Sequence, residues 1–350
     1  MVLLMCSVLM RKLGTTAAVA GLVLAASVSA ACDKKDSSGD QRAKRRPAKA
    51  KAKAPPIKKT VVAKAVAKPP TPTAPAEKKY AADPNGYEIK LHRPVKPGFR
   101  YRFRSAGTTS VKVTASTQQA ANKGTIPWTY EAEVTVRAVN AKGEPTVEEH
   151  KVIKLITTDA KGVRSTPLAP GTKVVARSKG INPVFKLNGA PASKEITGTL
   201  GDIIRVSKGG ATDDQVFGVR GKKKIGESWR VNARALAKDI GRRPASLPAR
   251  SRNINGKATL LRVADVFGVK SLVVRVKIRV KNWAEKIGTL KATAGGANWT
   301  IEKSVPVDPT STQLTNYKER TRLFIEGTNV NGRVTLDLEV DRTESRTAIE

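Results

Sequence analysis

Histidine and cysteine are almost missing from this chain, with two of each in 350 residues. His92 and His150 cannot furnish the nitrogen and sulfur ligands of a zinc or copper site, so any metal centre would be built almost wholly from carboxylates. No cofactor is expected. Cys6 and Cys32 are the only thiols and both fall in the first 32 residues, so the remainder must rest on buried apolar area without disulfides. Aromatics are few, four Trp, five Tyr and six Phe, which predicts a core of Val, Leu, Ile and Ala pinned by Trp128, Trp229, Trp283 and Trp299. Acids are also short, 29 Asp and Glu against 65 Lys and Arg, a formal net charge of +36. That balance points to anionic partners.

Motifs that carry chemistry are equally scarce. A Ser-His-Asp nucleophile would need His92 or His150, and both lie in strand-like, charge-rich stretches with no nucleophile-elbow glycines near a serine. Lys222-Lys223-Lys224 follows Gly221, but Val216 and Lys223 stand where a phosphate loop requires glycine and Ser or Thr, so the run reads as a solvated turn. Glu148-Glu149 and Asp213-Asp214 are adjacent and point to opposite faces of a strand, as solvated positions rather than a shared acid-base pair. Asn298-Trp299-Thr300 fits the glycosylation pattern, but the triplet by itself carries little weight. A non-enzymatic protein is expected. The alternative is a carboxylate-based hydrolase, which would need two acids facing each other across a cleft.

Residues 1–31 have the order of a secretory leader: Arg11-Lys12, then an apolar run from Leu13, then small residues to Ala31. The leader ends Ser29-Ala30-Ala31-Cys32, which resembles a bacterial lipoprotein signal. Cleavage then falls between Ala31 and Cys32, and the Cys32 sulfur becomes the lipid attachment point. Met10 would start a leader of ordinary length as well as Met1. The plain alternative is an uncleaved membrane helix, since the segment exceeds the roughly 20 residues that a span needs. Ser29 stands where Leu is commonest in such signals. Asp33 resembles an inner-membrane retention signal, a rule that varies between lineages, so inner and outer membrane both stay open.

From residue 33 to 82 the chain is rich in Lys, Ala and Pro, with Pro55-Pro56, Pro69-Pro70, Pro72 and Pro75, and has no aromatic before Tyr80. Such composition cannot bury enough to offset ordering entropy and is expected to be a disordered linker. At about 3.1 Å per residue in polyproline geometry it would reach roughly 150 Å at full stretch. It holds 15 Lys and Arg against four Asp and Glu, and residues 83–350 hold 48 against 25. Lys-Ala-Pro tails resemble those of linker histones, where counterion release drives binding. Export argues against nucleic acid, because a secreted chain meets anionic lipids, lipopolysaccharide or acidic wall polymers first.

Residues 83–350 begin at the turn Asp83-Pro84-Asn85-Gly86 and read as strand after strand. Phe99 to Arg104 alternates ring and cation, placing three rings on one face and three guanidinium groups on the other. Thr129 to Val139, Val274 to Lys281 and Val334 to Asp341 alternate in the same way. Asn331-Gly332 between apolar runs signals a hairpin. A two-residue loop there sets Leu323 opposite Val340, Ile325 opposite Leu338, Arg322 opposite Asp341 and, unfavourably, Glu326 opposite Asp337. Asn255-Gly256 is a second turn candidate, and Val231 to Ile240, stopped by Gly241, is the best helix. The expected fold is mainly β: antiparallel strands in a curved sheet, an open barrel or a sandwich, with one or two short helices, as one monomeric domain.

The outward cations carry one functional expectation. If Arg100, Arg102 and Arg104 lie near Arg275, Lys277, Arg279 and Lys281, their repulsion requires an anionic partner. The plain alternative pairs these rows with Glu131/Glu133 and Asp337/Glu339/Asp341 in ordinary cross-strand ladders.

Lys224-Ile225-Gly226-Glu227-Ser228-Trp229, with Phe185-Lys186-Leu187-Asn188-Gly189 and the stretch from Val139 to Pro145 containing Gly143, resembles a family of bacterial lipoproteins of unknown function. The resemblance covers roughly residues 87–345 and implies a lipobox, a low-complexity spacer and a β-rich region, with no catalytic residues. The combined expectation is a cell-envelope lipoprotein, anchored to its membrane through Cys32 and serving as a binding or structural module for an anionic partner. The other alternative is a lipid or lipoprotein carrier with a hollow half-barrel.

Overall fold

The structure, a computed structural model, describes residue 80 and residues 82–115, 122–159, 162–179, 182–207, 209–242, 245–311, 316–330 and 332–349. The leader, Ala31, Cys32 and the Lys/Ala/Pro-rich segment lie outside the described residues. The first elements are β1 (Tyr87–Glu88), β2 (Arg100–Ala115), β3 (Asn122–Val139), β4 (Pro145–Thr158), β5 (Arg164–Ser165), β6 (Lys173–Lys179), β7 (Asn182–Leu187) and β8 (Ala190–Pro191). Two helices follow, α1 (Lys194–Ile203) and α2 (Asp213–Phe217), then β9 (Lys222–Lys223), β10 (Ser228–Arg230) and α3 (Ala233–Ile240). The last are β11 (Ala245–Leu247), β12 (Ile254–Val266), β13 (Val269–Lys281), β14 (Ala284–Glu285), β15 (Lys291–Pro306), β16 (Asn316–Asn329) and β17 (Gly332–Ala348).

Thirteen strands form one open antiparallel sheet in the order β10-β12-β13-β15-β16-β17-β2-β3-β4-β6-β7-β8, with β5 on β4. The sheet does not close into a barrel, and its edges are β10 and β8. The expected alternation holds: Tyr101, Phe103, Tyr130, Ala132, Val134, Val136, Val274, Val276, Ile278, Val280, Leu336, Leu338 and Val340 are all buried on one face. The four tryptophans are buried as expected, and the Trp283 and Trp299 rings meet at 6.0 Å.

The apolar face of the sheet is covered by the helices and by an extended strap. Leu200, Ile203 and Ile204, Val216 and Phe217, and Leu236 and Ile240 bring α1, α2 and α3 into the same apolar cluster as the sheet. The strap alternates Tyr87, Ile89, Leu91, Arg93 and Val95 inward. It is held by Leu91 N–H to Asp214 Oδ1 (2.6 Å), Lys303 Nζ to Leu91 O (2.5 Å) and Val95 N–H to Gly143 O (2.9 Å).

Several sequence expectations are corrected. Three short α-helices form among the described residues, against one or two expected. Helix α3 starts at Ala233 because the Asn232 side chain accepts from Ala235 N–H, and it stops at Gly241 as read. Helix α2 opens with a capping box of Thr212 and Gln215. Asp213-Asp214 therefore sits in a first helical turn, not on a strand. Asn255-Gly256 is not a turn but lies inside β12. Its glycine admits a close approach, since a Cβ there would lie 2.3 Å from Val231 Cγ2. Lys222 and Lys223 pair with Glu88 and Tyr87 rather than forming a turn.

The β16–β17 hairpin is present but its register is two residues from the expected one. Leu323 faces Leu338, Ile325 faces Leu336, and Asn329 faces Gly332, while Asn331 lies outside the described residues. A two-residue slip leaves every side chain on its own face, so the apolar pattern could not distinguish the two registers. Charge does: Glu326 now faces Thr335 instead of Asp337, and Arg320 faces Asp341.

Gly107 tests the packing directly. A Cβ there would lie 2.3 Å from Trp128 Cζ2 and 2.5 Å from Asp341 O. Gly107→Val is expected to destabilise by about 1–3 kcal/mol or more through overpacking, while Thr108→Ala next to it stays within about 0.5 kcal/mol. Urea denaturation followed by tryptophan fluorescence measures both, and equal midpoints would refute the packing described.

Candidate functional site

The two faces of the sheet treat charge in opposite ways. Along β17 the inward positions pass from Val340 to Arg342, Glu344 and Arg346, so ionic groups continue the apolar row into the interior. Arg342 donates to the carbonyls of Asp202 (2.8 Å) and Ile203 (2.5 Å), capping the last turn of α1, which has no basic residue of its own there. It also pairs with Glu344. Beside it Arg205 pairs with Glu319 at 2.9 Å, and Glu319 accepts from the Tyr317 and Thr321 hydroxyls at 2.9 Å each. Across β2 the belt continues: Arg346 lies 5.4 Å from the Tyr101 ring, and Tyr101 donates to Glu148 at 2.7 Å. Glu148 contacts His150 Nε2 at 3.3 Å, and Tyr130 Oη meets His150 Nδ1 at 3.2 Å.

The sequence pattern predicts a solvated Glu148, but it is 2% exposed. Its inward direction follows from the strand alternation, which sends Glu149 outward to Arg137 at 3.1 Å. Burial acts to raise Glu148, but the hydrogen bond and charge of His150 outweigh it and hold the carboxyl below its usual value. Burial likewise opposes Glu319, and Arg205 overcomes it. For Arg342, burial and then the neighbouring Arg205 charge push the guanidinium down to about 10. His92, by contrast, sits in the strap with Nε2 2.7 Å from Lys142 O.

On the outer face the seven cations singled out by sequence fall into two groups. Arg102 and Arg104 both reach Glu131 Oε1, at 2.8 and 2.9 Å, and Arg275 pairs with Glu302 at 3.1 Å. Asp337 and Asp341 are taken by Arg322 and Arg320 of β16, at 2.6 and 2.7 Å. Arg100, Lys277, Arg279 and Lys281 are exposed, and among the described residues none has an acid within ion-pair distance. The β2 and β13 rows do not come together, because β15, β16 and β17 lie between them.

What β13 does meet is more of its own sign. Lys277 stands directly opposite Lys257 of β12, which stands opposite Arg230 of β10. All three side chains are exposed. Like charges directly opposite in a sheet oppose each other, so this lateral row is a local cost in the free protein. The β12 and β10 members were missed because alternation places residues on a face, and only register reveals neighbours across strands.

No protein-family model matches the chain, and no curated protein matches its sequence. Two solved structures are similar over much of their length: Neisserial surface protein A (NspA), at 6% identity over 70% of this chain and 96% of its own with a TM-score of 0.16, and Ail, the attachment invasion locus protein of Yersinia pestis, at 7% identity over 72% and 99% with a TM-score of 0.15. At these scores the likeness carries no argument for fold or function.

The buried belt predicts a non-additive response. Arg205→Leu should cost about 3–5 kcal/mol by leaving Glu319 unpaired in the interior, and Arg205→Leu with Glu319→Leu should recover most of that loss. Additive losses in urea denaturation would contradict the pairing. Because Glu148 and Glu319 are depressed in the folded state, their contribution is fully present above the ordinary carboxylate value of about 4.3. It is lost as pH falls through the lower folded values. Glu319→Gln should therefore flatten the acid limb of the stability profile, which thermal melts between neutral and acidic pH would measure.

Proposed function

We propose that this chain is an exported bacterial lipoprotein, tethered to its membrane through Cys32, whose folded part binds an anionic partner of the cell envelope without catalysing a reaction. The single observation that carries the binding reading is the lateral row Arg230, Lys257 and Lys277, continued by Arg279 and Lys281, without acidic compensation. The arginines of β16 and Arg102 and Arg104 of β2 are neutralised in place. Those outer-face arginines are thus balanced in place, whereas the β10–β12–β13 row sets cation opposite cation. Bringing phosphate or carboxylate groups to that region removes the repulsion between opposed cations. Lipid headgroups, lipopolysaccharide and acidic wall polymers all offer such groups, and the anchor would hold the domain among them. The anchoring part rests on the sequence pattern ending in Ser29-Ala30-Ala31-Cys32.

Two measurements test the parts separately. Mass spectrometry of the membrane fraction should find an N-terminal peptide beginning at acylated Cys32, and Cys32→Ser should abolish it; an intact leader with a free thiol sinks the anchoring claim. For the surface, Lys257→Glu with Lys277→Glu should weaken binding to phosphatidylglycerol vesicles about tenfold or more, equivalent to about 1.4 kcal/mol. Arg102→Glu with Arg104→Glu should weaken it less. Equal losses would mean diffuse charge attraction rather than a located surface. Binding should also fall with salt, as exposed charges are screened over about 10 Å at 0.1 M.

A further inference from the structure

At the far end of the cationic region the outer face has a notch with a lining unlike the rest of the sheet. Lys281 of β13, Gly296 of β15 and Phe324 of β16 stand opposite one another in one lateral row, and Arg279, Asn298 and Arg322 form the next. The missing side chain at Gly296 leaves an open depression of about 430 Å³ between Lys281 and Phe324, with Asn282 at its rim. Glycine is required there by close backbone, since a Cβ would lie 2.9 Å from Val280 O. Phe324 is 40% exposed on the outer face, beside Arg322 and across from Lys281.

Each part of the lining has its own preference. Arg322 is neutralised by Asp337, whereas Arg279 and Lys281 have no described acid within ion-pair distance. Two positive charges are therefore left over, which match one phosphate monoester of about −1.5 to −2 at neutral pH. The amides of Asn282 and Asn298 offer donors and acceptors together, as hydroxyl groups require. An exposed ring beside amides and cations suits a ligand with an apolar C–H face and a hydroxylated edge. The depression is within the size range of small-ligand sites, roughly 300–1,000 Å³.

We propose that this notch is a subsite for a phosphorylated saccharide, with phosphate between Arg279 and Lys281 and a sugar ring stacked on Phe324. The inference rests on the proposed binding of anionic envelope partners and names one chemistry among them. A glycolipid headgroup and a soluble phosphorylated glycan share that chemistry.

The test titrates the full-length protein in detergent with trehalose 6-phosphate, trehalose and inorganic phosphate by calorimetry. Trehalose 6-phosphate is expected to bind at least about tenfold more tightly than either of the others, and Phe324→Ala and Arg279→Gln should each lose about tenfold. Lys257→Gln with Lys277→Gln, outside the notch, should retain that binding while losing affinity for anionic vesicles. Tighter binding of a diacylated phosphoglycolipid than of trehalose 6-phosphate supports the site with a lipid source, and equal binding supports it with a soluble one. Three indistinguishable probes, or a Phe324→Ala protein that binds as the parent does, overturn the notch. Failure of the parent to bind phosphatidylglycerol vesicles would instead overturn the broader surface. Because Phe324 is exposed, an unchanged urea midpoint for Phe324→Ala separates lost binding from lost folding.

Discussion

Charge buried against the inner face of the sheet sets the terms for the rest of the structure. Arg205 and Arg342 lie in the interior with Glu319 and Glu344, and taking such groups from water costs several kcal/mol each unless every charge finds a partner. The partners come from different parts of the chain. Arg342 belongs to β17 but satisfies the end of α1, Arg205 follows α1 but answers β16, and Lys303 of β15 holds both Asp213 of α2 and the Leu91 carbonyl of the strap. Apolar contact is non-directional and would allow the helices to slide across a smooth surface of Val and Leu. Ionic contact with short range and fixed geometry does not. The belt thus fixes where the helices and the strap sit on the sheet, at a cost that the surrounding apolar burial must offset.

The same sheet shows why sign and compensation have to be considered apart. The net charge is large throughout, yet most of the outer arginines are matched by a neighbouring carboxylate, and such exposed pairs contribute only about 0–1 kcal/mol each. Their effect is to cancel field rather than to hold the fold. What remains after cancellation includes a lateral row across β10, β12 and β13 that leads toward a notch beside Phe324. A uniformly basic surface would attract any polyanion equally. Cations set side by side without an acid between them give an approaching anion a preferred place and orientation.

Much of this fold was legible because alternation is a strong signal. Tyr101, Phe103, Tyr130 and Val276 could be sent inward and Arg102, Lys277 and Arg279 outward from period two alone. Register was not legible to the same degree, since a two-residue slip at β16–β17 preserves every face. The like-charge clash of Glu326 with Asp337 in the expected pairing was the clue that the observed register removes. Asn-Gly pairs were similarly ambiguous. Asn188-Gly189 closes a two-residue hairpin, both residues at positive φ with Leu187 paired to Ala190, whereas Asn255-Gly256 runs through a strand. Local sequence cannot distinguish a glycine needed for backbone reversal from one needed for close approach. The buried belt left a trace that alternation itself supplies: Arg342, Glu344 and Arg346 share the parity of Leu336, Leu338 and Val340. Charges at inward parity mark an internal ionic cluster, but Arg205, which pairs with Glu319, comes from the segment after α1 that no periodicity reaches.

Where the folded part receives its N-terminal segment bears on how a tethered domain could use this surface. Tyr80 meets the β12–β13 hairpin, its hydroxyl 3.3 Å from Asp265 and its ring 5.0 Å from Lys270. Lys281 closes the opposite end of β13, about 35 Å away at roughly 3.3 Å per residue. Tyr80 is thus held at the end of β13 remote from the notch and from the cations near Lys281. If the preceding 50 residues extend as their composition implies, their reach of roughly 150 Å exceeds the length of the strand several times over. Under the proposed anchoring, so long a reach would leave the chemistry of the notch, rather than the point of attachment, to select the partner.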